Sequence, residues 1–258
     1  MILLVGGTSE AVAIARLLDQ AAEPYIMTVA TEYGYREASA KVAGQVLKGP
    51  FNDSTFGRLL AEYPVSVVVD AAHPFAVALR NELSAAAAEA GIRLVRLERP
   101  TNSYGAEQDI TFFDSLTDLG AWAAQQNFGR ILVATGIKGL GVLAGFLDLQ
   151  RLYVRILPAE ESLAAALRLG LKPSHIIAME GPFSRQLNEA IIRDLRIDLL
   201  ITKDSGEAGG YTAKLEAALA CGCRVAVLKR PEPARGEIFW TPQTLLASLG
   251  VLGKGKES

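Results

Sequence analysis

The sequence predicts an α/β protein built from two Rossmann-like, doubly wound parallel-sheet halves with a cleft between them. Short runs of Val, Ile and Leu alternate with helix-like stretches along the chain, as in successive βαβ units. Most of these runs are continuously apolar, which is typical of parallel strands covered on both faces. The pattern also restarts, because Ile131–Gly136 resembles the opening segment Ile2–Gly7.

The predicted elements follow from hydrophobic periodicity. The strands are Ile2–Val5, Ile26–Ala30, Val65–Asp70, Leu94–Leu97, Ile131–Thr135, Leu152–Leu157, His175–Met179, Leu199–Thr202 and Val225–Leu228. The helices include Glu10–Gln20, Ala76–Ala90, Ser162–Leu169, Ser184–Asp194 and Ala213–Ala220. The periodicity breaks at Gln125–Arg130, which predicts a first domain over residues 1–130 and a second over residues 131–258.

Composition narrows the class of protein. The 258 residues are 50% hydrophobic and 21% charged, which suits a folded chain with a large core. Apolar runs stay below the ~18 residues of a membrane helix, and the apolar start lacks the basic flank of a signal peptide, so we expect a cytoplasmic protein. Separately, a monomer is favoured. A net charge of −2 argues against nucleic-acid binding. Two histidines and the closely spaced Cys221 and Cys223 offer too few ligands for a metal site, and none is expected.

The turn after the first strand indicates a nucleotide site. A glycine turn between a strand and a helix brings backbone N–H groups to a phosphate at the helix N-terminus. The alternative is an ordinary capped turn, since Thr8 and Ala11 replace the later glycines of G-x-G-x-x-G. The candidate cofactor-binding residues here are Gly6, Gly7, Thr8, Ser9 and Glu10.

The end of the second strand bears on the choice of nucleotide. Glu32 is placed to hold a ribose diol, which favours NAD, whereas Thr31, Tyr33 and Arg36, with Gly34, suit the 2′-phosphate of NADP. Spacing alone leaves both open.

A third loop, His73-Pro74-Phe75, follows the strand that ends at Asp70. Parallel strands open on one edge, so this loop is expected beside the glycine turn. His73 is either a loop-bracing histidine or a catalytic proton donor.

Four loops of the second half also follow apolar strands and are expected to share one sheet edge. This half carries 16 basic and 13 acidic residues, and its cations suit carboxylate or phosphate groups, although a solvated basic surface is the alternative. Lys203 and Asp204 are also candidate catalytic residues. The candidate substrate-binding residues are Thr135, Gly136, Arg155, Glu180, Gly181, Pro182, Phe183, Lys203, Asp204, Ser205, Gly206, Lys214, Lys229 and Arg230.

Taken together, these segments resemble the precorrin-6A reductase family of cobalamin biosynthesis. The resemblance rests on an ordered set of short motifs, each weak alone. They are Gly6–Glu10, Ala30-Thr31-x-Tyr33-Gly34, His73–Ala76, Arg96-x-Glu98-Arg99-Pro100, Gly181–Phe183, Thr202–Gly206 and Lys229–Pro231. Glu180 departs from the glutamine that is common in the family before Gly-Pro-Phe.

The resemblance implies an NADPH-dependent reductase that saturates one double bond of a tetrapyrrole, a corrin-ring precursor, bound between two Rossmann-like domains. Hydride transfer to a ring carbon would be followed by protonation of its neighbour, by water or by His73, Lys203 or Asp204. Two alternatives are a reductase of another anionic substrate and an NADP-binding sensor without turnover. The substrate would be either metal-free precorrin-6A or its cobalt form.

Overall fold

The computed structural model describes residues 1–49, 53–99, 109–231 and 236–252. Twelve strands lie in these ranges: β1 (Ile2–Val5), β2 (Tyr25–Val29), β3 (Gln45–Lys48), β4 (Val67–Asp70), β5 (Arg93–Leu97), β6 (Ile110–Phe113), β7 (Ile131–Val133), β8 (Leu152–Ile156), β9 (Ile176–Ala178), β10 (Leu199–Lys203), β11 (Arg224–Leu228) and β12 (Glu237–Phe239).

Ten α-helices accompany them within the same ranges. They are α1 (Ser9–Gln20), α2 (Glu32–Ser39), α3 (Asp53–Glu62), α4 (Val77–Glu89), α5 (Leu116–Ala124), α6 (Ile137–Leu143), α7 (Glu160–Arg168), α8 (Arg185–Asp194), α9 (Tyr211–Ala220) and α10 (Pro242–Ser248). None of these helices is long and apolar enough to cross a membrane.

The strands form two six-stranded parallel sheets, which confirms the predicted fold class. The first sheet has the order β3-β2-β1-β4-β5-β12, and the second has the order β9-β8-β7-β10-β11-β6. Each follows the 3-2-1-4-5-6 pattern of the Rossmann fold, in which successive strands are added towards one edge up to the third strand and towards the other edge from the fourth, so that the first and fourth strands are neighbours. That switch point lies between β1 and β4 in the first sheet and between β7 and β10 in the second.

The two sheets exchange their sixth strands. β6 follows β5 along the chain but pairs with β11, whereas β12 follows β11 but pairs with β5. The chain therefore divides into a first unit, residues 1–100 and 231–258, and a second unit, residues 101–230. This division differs from the predicted boundary at residue 130, because the break at Gln125–Arg130 is only the connection between α5 and β7.

Apolar side chains cover both faces of each sheet. Along β1, Leu4 packs with α1 and Leu3 packs on the opposite face, because successive side chains of a strand point in opposite directions. Along β10, Ile201 and Leu200 divide between two clusters in the same way. Burial on both faces leaves the carboxyl edges as the exposed ends where polar side chains gather.

Candidate functional site

The glycine turn of the first unit lies at its switch point. Gly6 has φ +142°, and a Cβ at this position would lie 2.5 Å from the carbonyl oxygen of Ala71, just after β4. Only glycine therefore allows the turns after β1 and β4 to come this close. Gly7, the next residue, is exposed at the edge.

Thr8 joins these two turns and begins α1. Its hydroxyl accepts a hydrogen bond from the backbone N–H of Ala11 at 3.1 Å and donates one to the carbonyl oxygen of Ala71 at 2.8 Å. The first interaction is an N-cap, which leaves the remaining N–H groups of the first turn directed out of the helix.

A small open pocket lies beside this turn. Within it, Arg99 forms an ion pair with Glu10, with Nε 2.6 Å from Oε1. Burial opposes ionisation of Glu10, but the hydrogen bond and charge of Arg99 outweigh it and hold the pKa of Glu10 below its usual value. The cavity is lined by Thr8, Glu10, Ala71, Ala72, Pro74, Leu97 and Arg99.

The segment after β2 forms helix α2. Thr31 caps α2 by accepting a hydrogen bond from the N–H of Gly34 at 3.0 Å, and Tyr33, Gly34 and Arg36 lie in its first turns. Glu32 pairs with Lys48 at 2.5 Å and with Arg36 at 3.1 Å. Hydrogen bonds from Lys48, and then from Arg36, lower the pKa of Glu32. Lys48, a residue that the sequence analysis did not single out, brings a second cation to this end of β2, because it pairs with Val29 in the sheet.

His73 lies in the turn between β4 and α4. Its Nδ1 accepts a hydrogen bond from the N–H of Phe75 at 3.2 Å, and its ring is tilted against that of Phe75, with 5.7 Å between centroids. These contacts hold the imidazole against its own loop. Pro74 lines the cavity next to it.

In the second unit, Arg155 and Lys214 lie buried under the carboxyl edge. The Nη1 of Arg155 donates to the amide oxygen of Asn188 at 2.7 Å, and its guanidinium lies 4.4 Å from the ring centre of Phe183. The Nζ of Lys214 donates to Ser205 Oγ at 3.4 Å. Burial lowers the pKa of Arg155 to about 10. Burial, followed by the charges of Arg155 and Lys203, lowers the pKa of Lys214 to about 7.

Asp204 shapes the loop that follows β10. Its Oδ1 accepts hydrogen bonds from the N–H of Gly206 at 3.0 Å and from Nη2 of Arg230 at 3.2 Å, with both side chains almost fully buried. Lys203 lies half-buried at the same edge.

The other predicted residues occupy different parts of this edge. Lys229 forms an ion pair with the exposed Asp114, with Nζ 2.8 Å from Oδ1. Thr135 and Gly136 form the turn between β7 and α6, on the other side of the switch point. Glu180, Gly181 and Pro182 form an exposed loop after β9, and Phe183 at its end is half-buried. Pro100, the last residue of the Arg-x-Glu-Arg-Pro motif, lies outside the described residues.

Several polar residues of the site carry little signal in the sequence. Asn188 sits inside a helix, and Thr202 follows three apolar residues of β10, yet both are buried under the carboxyl edge. The one available signal is a polar side chain within an otherwise apolar core position. Among the described residues, no group of three His, Cys, Asp or Glu side chains is arranged to hold a metal.

The paired switch points define the class of the protein: a double Rossmann-type α/β protein with a glycine turn and cavity in one unit and buried cations in the other. A family model described as precorrin-6x reductase CbiJ/CobK matches residues 1–249. The chain belongs to the precorrin-6x reductase family, whose members are oxidoreductases of cobalamin biosynthesis.

Individual relatives agree with this membership. The chain is 35% identical over 234 residues to the cobalt-precorrin-6A reductase of Salmonella typhimurium, covering 90% of this chain and 88% of the relative. It is 34% identical over 241 residues to the precorrin-6A reductase of Rhodococcus erythropolis, covering 89% of each. The solved structure of a CobK precorrin-6A reductase superposes with a TM-score of 0.79 at 26% identity, covering 98% of this chain and 99% of that one.

Proposed function

We propose that the protein is an NADPH-dependent reductase that converts precorrin-6A or cobalt-precorrin-6A to its dihydro product. The observation that carries the proposal is the family match over residues 1–249, which gives the reaction class. The site described above supplies the physical support, because each unit offers what one of the two reactants requires. The substrate is a tetrapyrrole with several carboxylates.

The first unit suits the nucleotide. The exposed backbone of Gly7 and the first turn of α1 present N–H groups beside an open cavity, which is the arrangement that binds a pyrophosphate. Glu10 at this helix end is neutralised by Arg99. We assign Gly6, Gly7, Thr8, Ser9 and Glu10 to the pyrophosphate side of the cofactor, and His73, Pro74 and Phe75 to the opposite wall.

Selectivity for NADPH is proposed to come from the end of β2. Arg36 and Lys48 both contact Glu32, so its carboxylate is already held by two cations and is a poor partner for a ribose diol. Two cations beside the first turn of α2 favour a 2′-phosphate. Thr31, Tyr33 and Gly34 complete this part of the proposed site.

When bound, NADPH supplies the hydride for the reduction of a carbon–carbon double bond. The chain's own residues then bind and orient the macrocycle and exclude water. The edge cations of the second unit are assigned to its carboxylates, and the exposed loop Glu180–Phe183 to its face. Protonation of the neighbouring ring carbon is assigned to water or to one of His73, Lys203 and Asp204. Asp204 is the weakest of the three, since it is committed to Gly206 and Arg230.

The test is anaerobic oxidation of NADPH, followed at the nicotinamide absorbance, with precorrin-6A and its cobalt form supplied separately. We expect turnover with at least one of them, and the faster substrate identifies the form that the enzyme uses. Tight binding of NADPH with no oxidation by either substrate would contradict the proposal and favour a sensor. Oxidation with another anionic substrate alone would assign a different reductase.

The setting of the reaction is also proposed. We place the enzyme in the cytoplasm as a monomer of 27.5 kDa. Light scattering during gel filtration and fractionation of the native host check the two statements, and a stable dimer or a membrane-bound fraction would contradict them.

A further inference from the structure

Two cations are buried on one face of the second sheet without an acidic partner. Arg155 is 8% exposed and Lys214 is 6% exposed. Their hydrogen bonds go to the neutral groups of Asn188 and Ser205, and in the described ranges neither forms an ion pair with a carboxylate. Buried charges are normally paired, because an unpaired one loses its hydration without compensation.

The buried arginines elsewhere in the protein show the contrast. Arg80 pairs with Glu98, Arg96 with Asp70, and Arg230 with Asp204. Each of these cations has a carboxylate from the chain itself. Arg155 and Lys214 are therefore arranged for a carboxylate that comes from outside the chain.

A third polar group lies on the same face. Thr202 is fully buried, and its hydroxyl has no hydrogen-bond partner among the described residues. Its side chain shares a face with Leu200 two residues earlier, just as Arg155 shares a face with Tyr153. Leu200 and Tyr153 belong to one apolar cluster that includes Tyr211 of α9, so Thr202 and Arg155 both lie on the side of the sheet that α9 covers.

Apolar groups mark the opening of this region. The half-buried ring of Phe183 lies over the guanidinium of Arg155, with 4.4 Å between the guanidinium carbon and the ring centre. Leu157 and Met179, just past the carboxyl ends of β8 and β9, are 46% and 44% exposed. A ligand with a broad apolar body and ionised carboxylates at its rim matches both parts.

We propose that Arg155 and Lys214 bind one carboxylate of the tetrapyrrole on the α9 face of the second sheet, and that this carboxylate enters together with a proton taken up by Lys214. The statement rests on the proposed function. The proton comes from solvent and goes to the ε-amine, and the carboxylate stays ionised. Thr202 supplies a hydroxyl donor on the same face, and Ser205 positions the amine.

Burial of the amine, and after it the charges around Lys214, account for this coupling. Arg155 from β8 and Lys203 from β10 disfavour its protonated form, and Asp204 favours it. The other charged groups on the elements around Lys214 already have partners within the chain. These pairs are Glu189 of α8 with Arg185 and Arg193, Glu207 with Thr212, Lys229 with Asp114, and Arg230 with Asp204. An arriving carboxylate adds the negative charge that this set lacks, and so favours the ammonium form.

The experiment compares Lys214→Met and Lys214→Arg with the wild type, and uses Lys172→Met, an exposed lysine of the same unit, as the matched control. In the wild type and in the control, KM for the substrate should rise at least about fivefold between about pH 6.5 and pH 8.5. Lys214→Arg should bind with a nearly constant KM, because its charge does not titrate in this range. Lys214→Met should raise KM about tenfold at the lower pH and change kcat little.

Proton uptake is the direct readout, and a merely structural lysine would not produce it. Calorimetric titration with the substrate at about pH 7.5, in two buffers of different ionisation enthalpy, should show about half a proton taken up by the wild type. Both Lys214 variants should show almost none. Equal uptake in Lys214→Met, or a pH-independent KM in the wild type, would overturn the proposal. The affinity for NADPH, bound in the first unit, checks that each variant is folded.

A non-reacting probe separates this proposal from the proposed function. Uroporphyrin, a fluorescent tetrapyrrole octacarboxylate, reports binding without turnover. If the wild type fails to oxidise NADPH yet binds uroporphyrin with a proton uptake that Lys214→Met abolishes, the reductase assignment fails and the carboxylate site stands. If turnover occurs and neither ligand binds with proton uptake, the reductase stands and the carboxylate site fails.

Discussion

Arg96 and Asp70 form a buried ion pair on the neighbouring strands β5 and β4, with Nε 2.7 Å from Oδ2. The other oxygen of Asp70 accepts a hydrogen bond from the N–H of Ala72 at 2.9 Å, and the carbonyl oxygen of Ala72 accepts one from Arg80 at 3.0 Å. Arg80 also pairs with Glu98 at 2.5 Å. Buried charges thus hold the turn that faces the glycine loop.

Replacing Arg80 with Met should destabilise the protein by about 3–5 kcal/mol, because Glu98 would be left as an uncompensated buried charge. Urea denaturation measures the loss. The matched control is Arg93→Met, which breaks the exposed pair of Arg93 with Glu237 and should cost at most about 1 kcal/mol. Equal losses in the two variants would show that burial of the network contributes nothing.

Gly6→Ala should lower stability by about 2 kcal/mol and weaken NADPH binding. The new Cβ would lie 2.5 Å from Ala71 O in a backbone with φ +142°, so the two turns must separate. Gly7→Ala is the control for stability, since its Cβ would lie 3.6 Å from Val29 and should cost only about 0.5 kcal/mol. Thermal melts and nucleotide titrations make the comparison, and an unchanged Gly6→Ala melt would refute the close-approach argument.

The double change Arg36→Ala with Lys48→Ala should raise KM for NADPH about tenfold and leave KM for NADH nearly unchanged. The reason is that the proposed 2′-phosphate contacts are charge-assisted hydrogen bonds. Lys41→Ala is a matched control. Lys41 lies just beyond the end of α2 and pairs with Glu37 of that helix, so this variant also removes an exposed cation, but not one that contacts Glu32. Parallel changes for both nucleotides would remove these cations from the selectivity site.

Lys203→Ala should raise KM for the tetrapyrrole about tenfold with kcat largely retained, since the proposed role is carboxylate binding. Steady-state kinetics with Lys172→Ala as the surface control measures the two parameters. A normal KM with a collapsed kcat would instead assign Lys203 to proton delivery.

Removing the buried amine should stabilise the ligand-free protein. The pKa of Lys214 falls to about 7 in the folded state and returns to about 10.4 on unfolding, so the unfolded chain binds more protons between these values. Wild-type stability therefore rises with pH across this window because of Lys214. In thermal melts at about pH 7 and pH 9.5, Lys214→Met should have a higher Tm than the wild type, and the difference in Tm should be smaller at the higher pH. A constant gap would mean that the amine stays charged.

The central strands were predictable because burial on both faces requires continuous apolar runs. The predicted and observed bounds agree for Ile2–Val5 and differ by one or two residues at most for the other eight. The strands that the sequence analysis missed are β3, β6 and β12, all at sheet edges and incompletely buried. An edge strand needs no continuous apolar run, so Gln45–Lys48 and Glu237–Phe239 carry little periodic signal.

The candidate site was predictable as far as loop position allows. Parallel topology placed the loop that follows Asp70 beside the glycine turn, and the cations of the second unit near one edge, without any knowledge of contacts. Spacing does not show which cation is buried: Lys229 reaches a surface aspartate, whereas Lys214 lies inside. The exchange of β6 and β12 also escaped the sequence analysis, because the chain order fits either sheet equally well.

That exchange sets an order of assembly during synthesis. The strands of the second sheet end at Leu228, before the ribosome reaches β12. The second unit can therefore complete its sheet while β5 still presents unpaired backbone groups at the edge of the first sheet, where another strand could pair with them incorrectly. The unit that is translated first is the one completed last, by Glu237–Phe239.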